Sequence, residues 1–385
     1  MRRIALLGST GSIGASTLDV VAHLGDRLSV ASLAAGSNWQ LLAQQAREFG
    51  PALVAIADAG HVPRLKEALS DTGIEVLGGA DGVAAAAAVD GADVAFVAIV
   101  GAAGLPVSFA ALSSGKALAL ANKESLVMAG ELLTGLARER GLPIIPVDSE
   151  HSAVHQCLRS GGRGEVERII LTASGGPFRR FSRQDLERAT PEMALRHPTW
   201  SMGAKVTVDS ATLMNKALEI VEARWLFDVP AEKIAVVVHP QSVVHSMVEF
   251  KDGSTIAQLG EPDMRVPIQY ALTYPERARG PARRLDWAER QSLAFEPPDT
   301  GRFPALLLGW RAASEGGTAG AVLNAANEVA VDLFLNRRIS FADIARVTVR
   351  TMDAHRATGP ASLDDVMAAD RWAREKANAL APTGE

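Results

Sequence analysis

The sequence predicts an α/β protein in three parts: an N-terminal doubly wound, Rossmann-like parallel sheet, a central α+β region, and a C-terminal helical domain. Three observations carry this. Short apolar runs alternate with helix-spaced segments over the first 150 residues. Strands apolar on both faces and separated by helices make a parallel, covered sheet. After residue 150 the rhythm changes to strand pairs around a hairpin signal, and from 304 onward no run has convincing strand character.

In chain order, "RIALL", "LSVASLAA", "ALVAIA", "DVAFVAIV", "ALALA" and "PIIPV" are the N-terminal strands. "STLDVVAHL", "WQLLAQQAREF" and "VPRLKEALSDTG" are helices between them, and the alanine run at 84–88 is plain helix. "RIILTA" and "KIAVVV" are strands of the central region. "SVVHSMVEF" and "STIAQL" flank Lys251-Asp252-Gly253, a strong hairpin signal. "ATLMNKALEIVEARWLF" is one long helix, led in by the strand-like "VTVDSATLMNK". Prolines, arginines and glycines accumulate over 276–303, as in a linker, and "FADIARVTVRTMDAH" and "LDDVMAADRWAREKANAL" are amphipathic helices. The expected boundaries are therefore 1–149, 150–275, a linker at 276–303, and 304–385.

Composition narrows the function. The 385 residues are 48% hydrophobic and 22% charged, an ordinary globular balance. A net charge of −5 gives no general reason to bind nucleic acid. Cys157 is the single cysteine, which excludes an internal disulfide and a cysteine-based zinc site and suits a reducing cytosol. The apolar start "RRIALL" is cut short by Gly-Ser-Thr-Gly, and no stretch approaches the ~20 apolar residues of a membrane span. The expectation is a soluble cytoplasmic protein without nucleic-acid or membrane partners.

Between the first strand and first helix, Gly8, Gly11 and Gly14 are spaced G-x-x-G-x-x-G. Glycines there permit a tight turn and close approach to a pyrophosphate, which the helix N-terminus can bind. A plain structural turn is the other reading, and the position after the first strand of a parallel pattern favours a dinucleotide. The second strand ends "LAAGSNW" with no acid for a ribose 2′-hydroxyl. Ser37 and Asn38 can instead donate to a 2′-phosphate, which favours NADPH.

"PIIPVDSEHSA" sets Asp148 and Glu150 two residues apart at the carboxyl end of a strand, where doubly wound folds bind ligands. Two converging carboxylates need a cation, and oxygen ligands suit Mg2+ or Mn2+ rather than zinc. The competing reading is a helix cap by Asp148 or Ser149. Thr212, Asn215, Lys216, Glu219 and Glu222 form a polar stripe that reads either as a solvated face or as a site. In the second case Ser210, Asn215 and Lys216 cradle a phosphate and Glu219 completes a three-carboxylate metal site. "ASGGPFRRF" can wrap a phosphate or serve as a hinge. The stretch to "RHPTWSMGAK" holds five arginines together with His197 and Trp200, and reads as a cover or a surface insertion. His239 and His245 lie in strand-like stretches, as satisfied core histidines do. His151 and His155, four apart, make no metal site by themselves.

The motifs "LGSTGSIG", "LANKESLV", "PVDSEHSA", "ASGGPFR", "RHPTWSMG", "VDSATLMNKALEIVEARWLF", "HPQSVVHSMVEF" and "LNAANEVAV", taken together and in this order, resemble the 1-deoxy-D-xylulose 5-phosphate reductoisomerase family almost end to end. The resemblance implies a homodimer that uses NADPH and Mn2+ or Mg2+ to rearrange a small phosphorylated sugar and reduce it. It implies metal ligands Asp148, Glu150 and Glu219. It implies substrate contacts at Lys123, Ser149, Glu150, Ser174, His197, Ser210, Asn215, Lys216 and Glu219, with catalytic roles for Lys123, Glu150, His197 and Trp200. Cofactor contacts fall on Thr10, Gly11, Ser12, Ile13, Gly36, Ser37, Asn38, Asn122, Glu124 and Gly203, and residues 175–203 form a flexible loop. Ser37 departs from members that carry lysine near the 2′-phosphate. Two other readings compete: a metal-assisted NADP dehydrogenase acting without rearrangement, and a non-catalytic dinucleotide sensor.

Overall fold

The computed structural model describes residues 1–198, 200, 202–288, 292–359 and 362–381. Positions 199 and 201 of the expected loop and of "RHPTWSMG", and 289–291 of the expected linker, lie outside the described residues. Contacts divide the chain into two units. The first comprises 1–125, 133–152 and 263–283, and the second 126–132, 153–262 and 284–385.

The elements of the N-terminal stretch are β1 (Arg2–Leu7), α1 (Ser12–His23), β2 (Leu28–Ala35), α2 (Trp39–Phe49), β3 (Leu53–Ile56), α3 (Val62–Ala68), β4 (Glu75–Gly78), α4 (Gly79–Ala87), β5 (Val94–Val97), α5 (Gly104–Ser113), β6 (Ala117–Leu120), α6 (Lys123–Glu139), β7 (Ile144–Pro146) and α7 (Ser149–Cys157). The strands form one seven-stranded sheet in the order β4-β3-β2-β1-β5-β6-β7, with every pair parallel. β3 and β5 are buried at every residue, as strands covered on both faces must be. β4 is the one strand the sequence pattern does not announce. It is four residues long, ends in glycine, exposes Glu75 and lies at the sheet edge.

The onward elements are β8 (Val166–Ala173), α8 (Arg183–Glu187), α9 (Pro191–Ala194), α10 (Ala204–Ala211), α11 (Met214–Phe227), β9 (Ile234–Val238), β10 (Val244–Phe250), β11 (Thr255–Leu259), α12 (Arg265–Thr273), α13 (Ala305–Glu315), α14 (Ala319–Leu335), α15 (Phe341–Asp353) and α16 (Leu363–Leu380). The second sheet runs β11-β10-β8-β9. Its Asp252-Gly253 hairpin joins β10 to β11, with Gly253 at φ +86°. Glu296, within the expected linker, pairs with Val238 as an antiparallel bridge on the outer strand. α14 is buried nearly all round and forms the centre of the C-terminal helices.

The units depart from the sequence boundaries at 126–132, which groups with the second unit, and in two longer stretches. Residues 263–283 belong with the first sheet. Arg2 donates to the carbonyls of Leu272 and Tyr274 at 2.7 and 3.2 Å, Arg265 pairs with Asp19, and Ile268, Tyr270 and Leu272 enter the core. The C-terminal helices share a unit with the second sheet. There the Trp310 indole donates to the Ile234 carbonyl at 2.8 Å. These bonds join residues far apart in sequence, which composition cannot register.

The expected long helix is broken, and the strand-like "VTV" before it is helical in α10. Leu213, buried between α10 and α11, takes φ +60° and ψ 12°. A bulky side chain there costs about 1–2 kcal/mol, so the surrounding packing holds the turn in place.

Candidate active site

In the first unit, β1 delivers the glycine turn to the N-terminus of α1. Gly8 has φ +96°, and a Cβ on it would lie 2.5 Å from the Ala98 carbonyl oxygen. A Cβ on Gly14 would lie 2.2 Å from the Gly8 carbonyl oxygen. No side chain here can replace either hydrogen without moving backbone. Gly11 is the N-cap of α1, with no side-chain cap bond and no acid in the first turn. The helix N–H groups beside Thr10, Gly11, Ser12 and Ile13 thus suit an anion. At the end of β2, Gly36, Ser37 and Asn38 are exposed, and Asn38 caps α2 by accepting the Leu41 N–H at 3.1 Å.

Asn122 opens α6 and is almost fully buried. Its Oδ1 accepts the Ser125 N–H at 3.0 Å, while its amide donates to the carbonyls of Ile99 and Gly101 and to Glu124 Oε2, at 2.8–3.0 Å. The side chain therefore ties the loop after β5 to α6. Lys123 follows and reaches the carboxyl end of β7, where its Nζ lies 2.9 Å from Asp148 Oδ2. Burial opposes the Asp148 anion, but Lys123 and the neighbouring His151 outweigh it and hold the carboxyl well below the usual range. α7 begins at Ser149, so Asp148 occupies the cap position while its carboxylate engages Lys123. Ser149 Oγ donates to Glu150 Oε2 at 2.5 Å.

In the second unit, Ser174 follows β8. Its Oγ is 3.0 Å from His197 Nε2 and accepts the Gly176 N–H at 3.2 Å. The Trp200 N–H donates to His197 Nδ1 at 2.9 Å. With Nδ1 accepting, the neutral ring carries its proton on Nε2 and donates to Ser174. Burial lowers the His197 pKa and favours that neutral ring.

The polar stripe is not a solvated face: Lys216, Glu219 and Glu222 are 3%, 0% and 4% exposed. Asn215 Nδ2 donates to Glu219 Oε1 at 2.5 Å, and Lys216 Nζ pairs with Glu219 Oε2. Thr212 belongs to the break before α11, where its hydroxyl bonds back to the Val208 and Asp209 carbonyls. Ser210 is the penultimate residue of α10, which follows directly from Gly203.

Much of the expected 175–203 loop is packed. Phe178 is buried against Phe181 and Phe341, Arg302 donates to the carbonyls of Arg179 and Phe181, and Leu186, Pro191 and Ala194 are buried. Thr190 caps the short helix that starts at Pro191, its hydroxyl accepting the Met193 N–H. His239 is a satisfied core histidine, its Nδ1 2.8 Å from the Ala294 carbonyl and its ring stacked on Phe295. Sequence spacing gives no reason to single out Asp209 and Asn327, which are buried and bonded to each other across 118 positions.

A doubly wound dinucleotide-type sheet, followed by a unit with buried acid and lysine groups and half-buried Ser174 and Ser210, defines an oxidoreductase of the α/β class. Three family models match: 1-deoxy-D-xylulose 5-phosphate reductoisomerase over residues 4–130, its C-terminal domain over 144–227, and the DXP reductoisomerase C-terminal domain over 259–376. The 1-deoxy-D-xylulose 5-phosphate reductoisomerase of Prosthecochloris aestuarii is 54% identical over 99% of this chain and 100% of its own length. That of Chlorobium chlorochromatii is 55% identical with the same coverage. The Zymomonas mobilis enzyme, solved in complex with NADPH, superposes with a TM-score of 0.93 at 48% identity, covering 98% of both chains. A DOX-P reductoisomerase in complex with NADPH, fosmidomycin and magnesium gives 0.92 at 38% identity with the same coverage. The chain belongs to the 1-deoxy-D-xylulose 5-phosphate reductoisomerase family.

Proposed function

We propose that this chain rearranges 1-deoxy-D-xylulose 5-phosphate and reduces it to 2-C-methyl-D-erythritol 4-phosphate, a step of non-mevalonate isoprenoid precursor synthesis, with NADPH and Mg2+ or Mn2+. The observation that carries this reading is the Asn215–Lys216–Glu219 group, its lysine and glutamate buried, a phosphate-type cradle and a carboxylate within one turn of α11.

The residues fit both the dinucleotide and the metal. Gly8 and Gly14 let the turn pack backbone against backbone, where any Cβ would clash, and this sets the uncapped N-terminus of α1 open to a pyrophosphate. Gly36, Ser37, Asn38, Asn122, Glu124 and Gly203 complete the assigned cofactor contacts, and NADPH would supply the hydride. Asp148, Glu150 and Glu219 offer only oxygen ligands, the donor set of a hard divalent cation. A cation there would act as a Lewis acid toward the substrate's carbonyl and adjacent hydroxyl oxygens.

The chain's own groups do the rest. Ser174, Ser210, Asn215 and Lys216 hold the phosphate. Because Ser174 Oγ accepts from both His197 and Gly176, its own hydrogen remains for a phosphate oxygen. Lys123, oriented by Asp148, holds a proton or stabilises charge at the reacting carbons. Ser149, Glu150 and His197 contact the sugar, and Trp200 closes over it, excluding water. Among the described residues no helix is long and apolar enough to cross a membrane. A cytoplasmic homodimer is the assembly we assign.

The test is NADPH oxidation with 1-deoxy-D-xylulose 5-phosphate, with EDTA and then with added Mg2+ or Mn2+, combined with product analysis. A branched carbon skeleton formed only with metal supports the assignment. An unbranched reduced product would mean a dehydrogenase without rearrangement, and no oxidation under any condition would leave a dinucleotide sensor.

A further inference from the structure

Asp209 lies in α10 immediately before Ser210 and is wholly buried. Its Oδ1 accepts from Asn327 Nδ2 on α14 at 2.7 Å, and its Oδ2 stands 2.9 Å from Lys205 Nζ, one turn earlier. Asn327 is also wholly buried. A carboxylate in such a place is costly unless it is paired and hydrogen-bonded. None of the roles assigned above uses these residues.

What α10 carries gives the bond its meaning. Its N-cap is Gly203, whose carbonyl accepts the Thr207 N–H at 3.0 Å and the Thr207 hydroxyl at 2.9 Å. At the other end of the 175–203 segment, Gly176 has φ +65°, and a Cβ on it would sit 2.6 Å from the Ser210 carbonyl oxygen. Both ends of the segment therefore meet on α10. The helix then turns through Leu213 into α11, which carries Asn215 and Lys216. With only two turns, α10 cannot hold its place by its own hydrogen bonds. Its tertiary bonds decide where it lies.

We propose that Asp209 and Asn327 are positioning residues: their buried bond, completed by Lys205, fixes α10 against α14 and so sets both Ser210 and the two ends of the covering segment. The proposal rests on Ser210 being a phosphate contact. It makes the C-terminal helices part of the substrate site without any of them touching substrate.

The test is steady-state kinetics on the full chain with NADPH, metal and 1-deoxy-D-xylulose 5-phosphate, for Asn327→Leu, Asp209→Asn, the exchange Asp209→Asn/Asn327→Asp, and Ser210→Ala. Asn327→Leu should raise the sugar phosphate KM tenfold or more, and the NADPH KM, through Gly203 alone, by a smaller factor. The exchange keeps one carboxylate and one amide in contact and should return the sugar phosphate KM to within threefold of wild type. If Asn327→Leu does not accumulate as folded protein, Asp209→Asn, of the same shape, is held to the same KM criteria. An impaired Ser210→Ala beside an unimpaired, folded Asn327→Leu overturns the positioning role alone. An exchange that recovers thermal stability but not the KM overturns it as well. A wild-type KM in Ser210→Ala overturns the phosphate assignment itself.

Discussion

Lys216→Met tests whether the polar stripe of α11 is a desolvated functional group. Methionine keeps most of the unbranched stem and removes the ammonium. Lys216 and Glu219 have side-chain exposures of 3% and 0%, so solvent cannot take over the lost partner. Removing one member of such a buried pair costs about 3–5 kcal/mol, because it strands the other charge. For a folding unit of roughly 200 residues, each kcal/mol lowers the transition by about 2–4 °C. The variant's second unit should then melt roughly 6–20 °C below wild type in calorimetry with EDTA present. Lys216→Met/Glu219→Gln removes both charges and should recover most of the loss, since a neutral buried pair carries little ionic desolvation cost. A divalent cation that binds Glu219 replaces the missing positive charge, and at a hundredfold above its Kd it stabilises by about 2.7 kcal/mol. Added Mg2+ should thus raise the single variant more than the double. A single variant within about 1 kcal/mol of wild type in EDTA would refute the reasoning. An unchanged sugar phosphate KM would remove Lys216 from the phosphate site.

Other substitutions probe the remaining parts. Glu150→Gln should leave NADPH binding intact, followed by fluorescence titration, and abolish turnover; wild-type rates would sink the metal assignment. Gly14→Ala places a methyl 2.2 Å from the Gly8 carbonyl oxygen, and should cost about 1–3 kcal/mol and weaken NADPH at least tenfold. Gly11→Ala, whose Cβ would have its nearest protein neighbour at 3.5 Å, should keep thermal stability within about 0.5 kcal/mol of wild type. A kcat/KM comparison of NADPH with NADH tests Ser37 and Asn38, and near-equal values would contradict the choice of NADPH. For His197, burial lowers the folded-state pKa below 6.5, so its contribution is complete above that value and is lost as pH falls through the folded pKa. Protonated Nδ1 cannot accept the Trp200 N–H. The part of the tryptophan fluorescence that Trp200→Phe removes should therefore change as pH falls below 6.5 in wild type, and not in His197→Gln.

The sequence by itself determined the parallel sheet, because strands covered on both faces must be apolar throughout and their connecting helices amphipathic. It determined the glycine turn, since only glycine admits the backbone approaches found at Gly8 and Gly14. It set Asp148 and Glu150 at a strand's carboxyl end, and its ordered motifs named the family. Other features depended on partners remote in the chain. Lys123 meets Asp148 across 25 positions, and Asp209 meets Asn327 across 118. The "VTV" of α10 has β-branched residues, yet it is helical where it is held between Gly203 and α14. Leu213 adopts a glycine-like conformation that no local signal marks. Whether Lys216 and Glu219 faced water or lay in the interior was likewise decided by tertiary packing alone. A periodic polar stripe specifies which side chains share a helix face, but the free energy of desolvating that face depends on what the rest of the chain lays over it.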